Sequence, residues 1–492
     1  MRELINLKVD KKQLEKTAKL AKERKLVIPT LAQMKNPDTI PEDVKKKLKK
    51  TGLWDVDPVN LFRITWKNQP VAEGGLYNPL PNYIEIPPEI SGVKARIFAM
   101  AGKFFPVGCH KVGASFACLA PRLVTGQFDP AFHEAVWPST GNYCRGGAYN
   151  SALLGCKSIA ILPQNMSRER FEWLSKIAGE VIVTPGGESN VKEIYDKTWE
   201  LRGTRDNVVI LNQFGELGNH LWHYEVTGSA MHDIFKAESK PGDKFAGVCL
   251  TSGSGGTLGS GDYIKDHFPH AKIAAGEALQ CPTLLNNGFG DHRIEGIGDK
   301  HVPWIHNVKN TDMIIAVDDN DALGFFRLVN EKNGQKVLGK HGVVDEVIEK
   351  LPWIGISGAA NILSCIKFAK YYELTENDIV MTVLTDSAEM YQSRLREMAD
   401  ERGRAYSESD AAFDFGEHVR GVRTDSMEEL TYAAKKRVHN LKYYTWIEQQ
   451  GYKLEDLNAQ WYDYDNYWGE LHKMGKKLDK LITEFNEISA GK

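Results

Sequence analysis

Three short segments carry residues whose types and spacing could do chemistry. The first is Ser252-Gly-Ser-Gly-Gly-Thr-Leu-Gly259, which follows an apolar run ending at Leu250 and precedes the helix-like stretch Asp262–His267. A glycine-rich turn between strand and helix lets bare backbone N–H groups converge on an anion at the helix N-terminus, and Ser254 and Thr257 add hydroxyl donors. It reads as a phosphate cup, although a Gly/Ser loop also serves as a plain connection. It matches neither the nucleotide P-loop, since no Gly-Lys-Ser/Thr follows, nor the dinucleotide fingerprint. The second segment is Gly108-Cys-His-Lys-Val-Gly-Ala-Ser115, where Lys111 stands among small and apolar residues just after Phe104-Phe105-Pro106. A lysine kept out of water has a depressed pKa and acts as an amine nucleophile or base; the alternative is a packed stem with the head in water. The third is Ser139-Thr-Gly-Asn-Tyr143, a polar turn ahead of the small-residue helix Gly146–Leu154. Hydroxyls, an amide and exposed N–H groups at a helix start suit a carboxylate or a ring hydroxyl, and equally an N-cap.

These segments need elements to hold them. From about Ala95, short aliphatic runs alternate with helix-length segments, the pattern of βαβ units around a parallel sheet. The clearest strands are Ser158–Leu162, Val181–Thr184, Asn207–Leu211, Phe245–Leu250, Lys272–Gly276, Met313–Val317 and Ile379–Leu384, apolar enough to be buried on both faces. The first 70 or so residues read as a polar helical extension, with Leu4, Leu7, Leu14 and Leu20 at roughly helical intervals, followed by proline-punctuated chain from Pro29 to Pro81. Beyond about Asp400 the strands stop. A charged, helix-like tail follows, crowded with Tyr443, Tyr444, Trp446, Tyr452, Trp461, Tyr462, Tyr464, Tyr467 and Trp468, which packs on the body or a second subunit or forms a ligand-facing lid. The expected organisation is a helical extension over 1–70, a catalytic body over 71–400 with a small lobe at about 98–230 and a large lobe in the remainder, and a helical aromatic-rich extension over 401–492.

Composition narrows the class. The 492 residues carry 62 Lys+Arg against 65 Asp+Glu, a formal charge of −3, which removes the electrostatic argument for a nucleic-acid or membrane-surface protein. The 7 cysteines (Cys109, Cys118, Cys144, Cys156, Cys249, Cys281, Cys365) are scattered singly, without a CxxC pair or zinc spacing, so neither a disulfide framework nor a metal site is expected. Met1 to Lys25 lacks the apolar stretch of a signal peptide or membrane span. A cytoplasmic protein with reduced thiols, acting on a small molecule, is expected.

In this order, lysine, then Ser/Thr-Gly-Asn turn, then Gly-rich loop, the segments resemble the fold-type II pyridoxal-phosphate enzymes of the cysteine synthase and cystathionine β-synthase group. Cys156–Gly186 is similar to that family's strand, Pro-x-x-Met-Ser, Arg-bearing helix and Thr-Pro-Gly strand end. Gln213-Phe214 with His223-Tyr-Glu-Val-Thr-Gly228, Glu295-Gly-Ile-Gly298 with Val302-Pro303, Gly355-Ile-Ser-Gly-Ala-Ala360 and Thr385-Asp-Ser-Ala-Glu-Met-Tyr-Gln-Ser393 resemble its later motifs, so the likeness runs collinearly from roughly Tyr77 to Leu395. Two departures stand out. His110-Lys111 resembles the His-Lys pair of tryptophan synthase β subunits, where cysteine synthases follow the lysine with Asp-Arg; and Asn142 is followed by Tyr143-Cys144 in place of Thr-Gly.

The resemblance implies a two-lobed α/β fold with parallel sheets, like tryptophan synthase β, plus helical N- and C-terminal extensions, and pyridoxal 5'-phosphate as cofactor. Lys111 would form the internal Schiff base and shuttle the α-proton, Asn142 would bond the ring hydroxyl, Gly253, Ser254, Gly255, Gly256 and Thr257 would cradle the phosphate, and His110 could touch it. Ser387 falls where the family places a neutral hydroxyl beside the pyridine nitrogen, which favours β-elimination and replacement over transamination. Ser139, Thr140, Tyr143 and Gln213 would surround the substrate carboxylate, with Gly296 lining the substrate side. The implied activity is β-replacement or β-elimination on a serine- or cysteine-type amino acid through an aminoacrylate, with a thiol or sulfide as possible second substrate, in a homodimer. A cysteine desulfhydrase, a serine or threonine dehydratase, and a catalytically idle scaffold are the alternatives. Cys144 is either a reactive thiol or an inert buried one.

Overall fold

A computed structural model of the chain describes residues 4–298 and 300–491. The described strands are β1 (Tyr83–Ile86), β2 (Arg96–Ala101), β3 (Glu134–Pro138), β4 (Lys157–Pro163), β5 (Glu180–Thr184), β6 (Val208–Ile210), β7 (Lys244–Thr251), β8 (Lys272–Ala278), β9 (Met313–Val317), β10 (Asp378–Leu384) and β11 (Met427–Glu429). They form two sheets. The larger has the order β1-β2-β10-β7-β8-β9-β11, parallel through its five inner strands and closed by antiparallel edges β1 and β11; the smaller, β5-β4-β3-β6, is parallel throughout. The helices that matter for the site are α1 (Lys11–Glu23), α2 (Lys111–Val124), α3 (Asn142–Leu154), α4 (Leu217–Trp222), α5 (Leu258–His267), α6 (Ile356–Tyr371) and α7 (Glu470–Ala490).

The apolar strand sequences follow from burial on both faces. Side chains alternate across a strand, so Ile97 and Ala99 of β2 enter one core cluster while Phe98 and Met100 enter the other. In β10, Val380 and Leu384 face the first and Ile379, Met381 and Val383 the second. The small-residue helix α6 lies within the first cluster, its Ala359, Ala360, Ile362 and Leu363 all fully buried.

The chain ends are built into the body. Leu14, Ala18 and Ala21 of α1 share a core cluster with Leu478, Ile482 and Phe485 of α7 and with α2. Each Leu, Ile or Phe so buried contributes about 1.5–3 kcal/mol. Asp10 caps α1 by accepting from Gln13 N (3.1 Å), and Asn486 of α7 both accepts from Ile28 N (3.0 Å) and donates to Ile28 O (2.8 Å). The helix starts at Lys11, so Leu4 and Leu7 lie outside the periodic stretch. The tail packs on the body: Trp446, Trp461, Tyr467 and Trp468 are buried, the first, third and fourth in a cluster with Phe214, Leu217 and Trp304, whereas Tyr444 and Tyr462 stay exposed.

The seven expected strands all exist, extended by up to two residues at an end or, at β6, shortened to three. The expectation that strands end near Asp400 is corrected by β11, which pairs antiparallel with β9. Its sequence, Met-Glu-Glu, carries no apolar signal because it is an edge strand whose carboxylates meet Arg437 (Glu428, 2.9 Å) and Lys272 (Glu429, 3.0 Å). All seven cysteines are buried and unbridged. Among the described residues, no helix is long and apolar enough to cross a membrane.

Candidate active site

The chemistry-bearing segments meet because each follows the C-terminal end of a parallel strand: Lys111 comes after β2, the Ser139–Asn142 turn after β3, the glycine loop after β7 and Thr385–Ser387 after β10. The turn leading into Lys111 is strained. Val107 has φ +58°, a left-handed backbone that a β-branched residue rarely adopts, and its carbonyl is held by the buried Arg145 guanidinium (2.5 Å). Lys111 then opens α2, with Nζ donating to Ser254 Oγ (3.0 Å). Burial pulls its amine down to about 8, against the opposing pull of Cys109, Cys118 and Glu188. His110 is fully buried; desolvation, helped by Lys111, holds it far below the usual imidazole range and so neutral.

The glycine loop has the backbone its sequence promises. Gly255 sits at φ +74°, in left-handed space, and Gly256 lies so close to Asn219 that a Cβ would stand 2.1 Å from its Oδ1. Asn219 Nδ2 donates to Ser254 Oγ (3.1 Å) and to Gln213 O (3.0 Å), tying the loop to α4. Thr257 precedes α5, whose N-terminus therefore points its free N–H groups at the loop. A small cavity is lined by His110, Lys111, Gly253, Ser254, Gly255, Gly256, Thr257 and Gly296, together with Thr251, Asn361, Val383 and Thr385.

The expected residues divide into those brought to this cavity and those placed beside it. Asn142 is buried at the head of α3, its Nδ2 donating to Asp386 Oδ2 (2.7 Å) and its Oδ1 accepting from Arg145 Nη1 (3.0 Å). It adjoins Gly296, whose added Cβ would lie 3.9 Å from Asn142 Nδ2 and 3.5 Å from Ser357 Oγ. Ser387 is buried in the turn after β10, where its carbonyl accepts from Met390 N (3.1 Å); Thr385, two residues nearer the strand end, is the hydroxyl that lines the cavity, 3.4 Å from His110 Nε2. Ser139 Oγ accepts from Gly141 N (3.0 Å) and Gln213 Nε2 (3.3 Å), so those two expected residues are joined. Tyr143 turns into the core, edge-on to Trp137 with ring centroids 5.4 Å apart. Cys144 donates to Gly141 O (2.9 Å) and burial pushes its thiol up to about 12, which makes it inert.

Sequence reasoning missed a network of buried charges behind the cavity. Asp386 Oδ2 accepts from Asn142 and from Tyr391 OH (2.6 Å), with Arg170 Nη2 3.8 Å away, and Arg170 also pairs with Glu295. Glu295 in turn accepts from Arg394 Nε (2.5 Å), so the loop that presents Gly296 is clamped from two elements. Glu188 is also buried. It accepts from Thr140 Oγ1, while burial pushes its carboxyl up to about 8. It lines a neighbouring cavity of about 320 Å³ with Met166, His292, Arg293, Glu295 and Ile356. In the sequence these residues lie on separate motifs, Arg170 in the Pro-x-x-Met-Ser helix, Glu188 just beyond the Thr-Pro-Gly strand end, and Glu295, Asp386 and Tyr391 within the later motifs, with no signal that they meet.

A phosphorylated ring aldehyde fits this donor set. The glycine cradle and helix N-terminus offer N–H groups to a phosphate, Lys111 offers a desolvated amine, and His110 Nδ1, Asn219 Oδ1 and Ser357 Oγ are buried polar atoms with no hydrogen-bond partner among the described residues. The sequence profile described as pyridoxal-phosphate dependent enzyme matches residues 84–344, just over half of the chain. The chain belongs to the pyridoxal-phosphate dependent enzymes. It is 27% identical over 300 residues to a probable cysteine synthase of Bacillus subtilis, covering 61% of this chain and 89% of that one. It is 32% identical over 290 residues to a cysteine synthase of Staphylococcus aureus, covering 58% and 84%. Among solved structures, a hydrogen sulfide-producing enzyme from Fusobacterium nucleatum superposes with a TM-score of 0.52 at 26% identity, covering 65% of this chain and 88% of that one. An O-acetylserine dependent cystathionine β-synthase from Helicobacter pylori shares the fold, with a TM-score of 0.53 at 22% identity, covering 64% and 95%. The pyridoxal-phosphate enzyme is therefore of the two-lobed α/β type, with a mostly parallel larger sheet, that the sequence motifs implied.

Proposed function

We propose that this pyridoxal-phosphate enzyme catalyses β-replacement or β-elimination on a serine- or cysteine-type amino acid, with Lys111 as its base. The single observation that carries the reading is the desolvated Lys111 amine held by Ser254 of the glycine loop (3.0 Å). When bound, pyridoxal phosphate withdraws electron density from the α-carbon of the amino acid it carries. Lys111 Nζ, held down at about 8, has a free-amine fraction that grows from neutral to mildly alkaline pH, and that amine takes and returns a proton at that carbon. Ser254 and Asn219 fix where Nζ stands, so the amine need not be ordered during the reaction. The N–H groups of Gly253 to Thr257 and the head of α5 would hold the phosphate, while Ser139, Thr140 and the N–H groups opening α3 would receive the substrate carboxylate. Thr385 supplies a neutral hydroxyl at the strand end, with Ser387 buried behind it.

Relatives that bear the names cysteine synthase and hydrogen sulfide-producing enzyme support this class of chemistry. They also support a thiol or sulfide as the second substrate. Seven unbridged cysteines are in keeping with a reducing, cytoplasmic setting, and a homodimer is the expected assembly. The test is a titration of the yellow holoenzyme with O-acetylserine, cysteine and serine, with and without added thiol, reading absorbance, pyruvate and thioether. Thioether or pyruvate should form, and Lys111→Ala should cost at least a factor of about 10²–10⁴ in turnover. A wild type that binds no cofactor, or a Lys111→Ala enzyme that turns over normally, would overturn the reading.

A further inference from the structure

Three buried side chains, one each from α4, α5 and α7, converge without any part in the site described above. His220 of α4, Asp262 of α5 and His472 of α7 are 0%, 1% and 9% exposed. His220 Nε2 lies 3.2 Å from His472 Nε2 and 3.5 Å from Asp262 Oδ2, and His472 Nε2 lies 3.6 Å from the same oxygen. Among the described residues, this is the one group of three or more His, Cys, Asp or Glu side chains whose ligand atoms come this close. We propose that His220, Asp262 and His472 bind a divalent transition-metal ion of the zinc class, which locks the C-terminal helix onto the two helices beside the glycine loop.

The triangle has the right size. Four-coordinate zinc holds N and O ligands at about 2.0–2.2 Å, which sets adjacent ligand atoms roughly 3.3–3.5 Å apart. The three measured edges bracket that spacing. The groups behind the triangle also orient it. His220 Nδ1 donates to Ile305 O (3.1 Å), which leaves the Nε2 lone pair facing inward, the backbone-carbonyl support that metal-bound histidines use. Asp262 is steered by Asn307 Nδ2 on Oδ2 (2.7 Å) and Asn310 Nδ2 on Oδ1 (3.0 Å). His472 stacks on Tyr224 with ring centroids 3.8 Å apart, which holds its ring in place, and Asp266 Oδ2 stands 3.9 Å from its Nδ1. Imidazole nitrogen with one carboxylate suits zinc, cobalt or nickel and not calcium or magnesium, which take oxygen. Three protein ligands leave the fourth position to water.

The location says what the ion would do. His220 follows Asn219, which holds Ser254, and Asp262 lies on the helix whose head faces the loop. An ion here joins residues 252 positions apart in sequence, which is why no local spacing announced it. The test uses untagged full-length holoenzyme incubated with zinc and dialysed exhaustively. Elemental analysis should find about one zinc per chain, dipicolinate should strip it and lower the melting temperature, and cobalt should restore stability and give the visible d–d bands of a four-coordinate site. His472→Gln and Asp262→Asn should each lower the zinc content at least tenfold. Less than about 0.1 zinc per chain with no cobalt bands in the wild type would overturn the proposal and leave a hydrogen-bonded knot. So would cobalt bands that survive both substitutions unchanged. The wild-type measurements decide the matter even if a variant fails to fold.

Discussion

Adding one methyl group at Gly256 tests the link between the glycine loop and Asn219. A Cβ there would stand 2.1 Å from Asn219 Oδ1 and 2.7 Å from its Cγ, so the amide must go from 2.1 Å to the 3.4 Å of ordinary contact, a retreat of about 1.3 Å. Asn219 Nδ2 cannot move that far and keep its bonds to Ser254 Oγ (3.1 Å) and Gln213 O (3.0 Å). Each lost bond costs about 0.5–1.5 kcal/mol and the overpacking another 1–3 kcal/mol. The share that falls on the loop, about 1.4–2.8 kcal/mol, predicts ten- to hundred-fold weaker pyridoxal phosphate binding in Gly256→Ala, with the rest appearing as lower apoprotein stability. Equilibrium binding to the apoprotein followed by absorbance gives the first quantity, and urea unfolding the second. Gly203→Ala is the control, because nothing lies within 4 Å of its added Cβ; it should bind normally and gain at most about 1 kcal/mol of helix stability. In an Asn219→Ala background the clash is gone, so Gly256→Ala should add little to the binding loss. Wild-type affinity in Gly256→Ala, or full additivity in the double variant, would refute the reasoning.

The free amine of Lys111 is the nucleophile and its pKa is about 8, so capture of pyridoxal phosphate by apoenzyme should quicken about tenfold per pH unit below 8 and level off above, as stopped-flow absorbance would show. A rate flat from pH 6 to 9 would contradict the burial argument. For Glu188 the folded-state value of about 8 lies above the ordinary 4.5, so the folded protein holds this proton more tightly. Its contribution to stability is complete below pH 4.5 and is lost as pH rises through about 8; Glu188→Gln should remove that slope from the difference between urea midpoints measured along the same range. Lys442 Nζ donates to Trp304 O (3.0 Å), His306 O (2.6 Å) and Gln460 Oε1 (2.7 Å) in the interior. Lys442→Met should therefore destabilise the chain by about 2–4 kcal/mol in urea unfolding, through the loss of three hydrogen bonds donated by the ammonium.

Much of this fold was legible because its inner strands are buried on both faces and read as continuous apolar runs. Met313–Val317 was located to the residue. Four strands were missed: Tyr83–Ile86 is a short edge strand that alternates, Arg96–Ala101 is apolar but merges with the apolar approach to Lys111, Glu134–Pro138 ends on tryptophan and proline, and Met427–Glu429 is a charged edge. Within the site, the local motifs were readable because each lies on one strand-to-helix turn. What lay beyond reach was anything set by the relative placement of distant turns. Ser387 and Thr385 are both hydroxyls on one loop, and only the path of the backbone after Leu384 decides which of them borders the cavity. Arg170 and Glu295, 125 residues apart, show no relation in sequence although they share a buried ion pair. Tyr143 has a polar tip suited to a substrate, yet its place one residue into α3 turns it toward Trp137.

The aromatic tail is best understood through the chain it covers. The segment from Val302 to His306 follows the loop bearing Gly296 and is irregular and buried, so its carbonyls have no ladder or helix to satisfy them. The tail supplies the donors: Trp446 Nε1 to Val302 O (2.9 Å), Lys442 Nζ and Gln460 Nε2 to Trp304 O (3.0 and 3.1 Å), and Lys442 Nζ to His306 O (2.6 Å). Leaving the Val302 and Trp304 carbonyls bare would cost about 1–3 kcal/mol each. Tryptophan suits the task because it fills volume and carries one N–H, burying area and pairing a carbonyl with the same side chain. The crowd of Trp and Tyr after residue 440 thus complements a particular stretch of unpaired backbone beside the glycine-lined cavity.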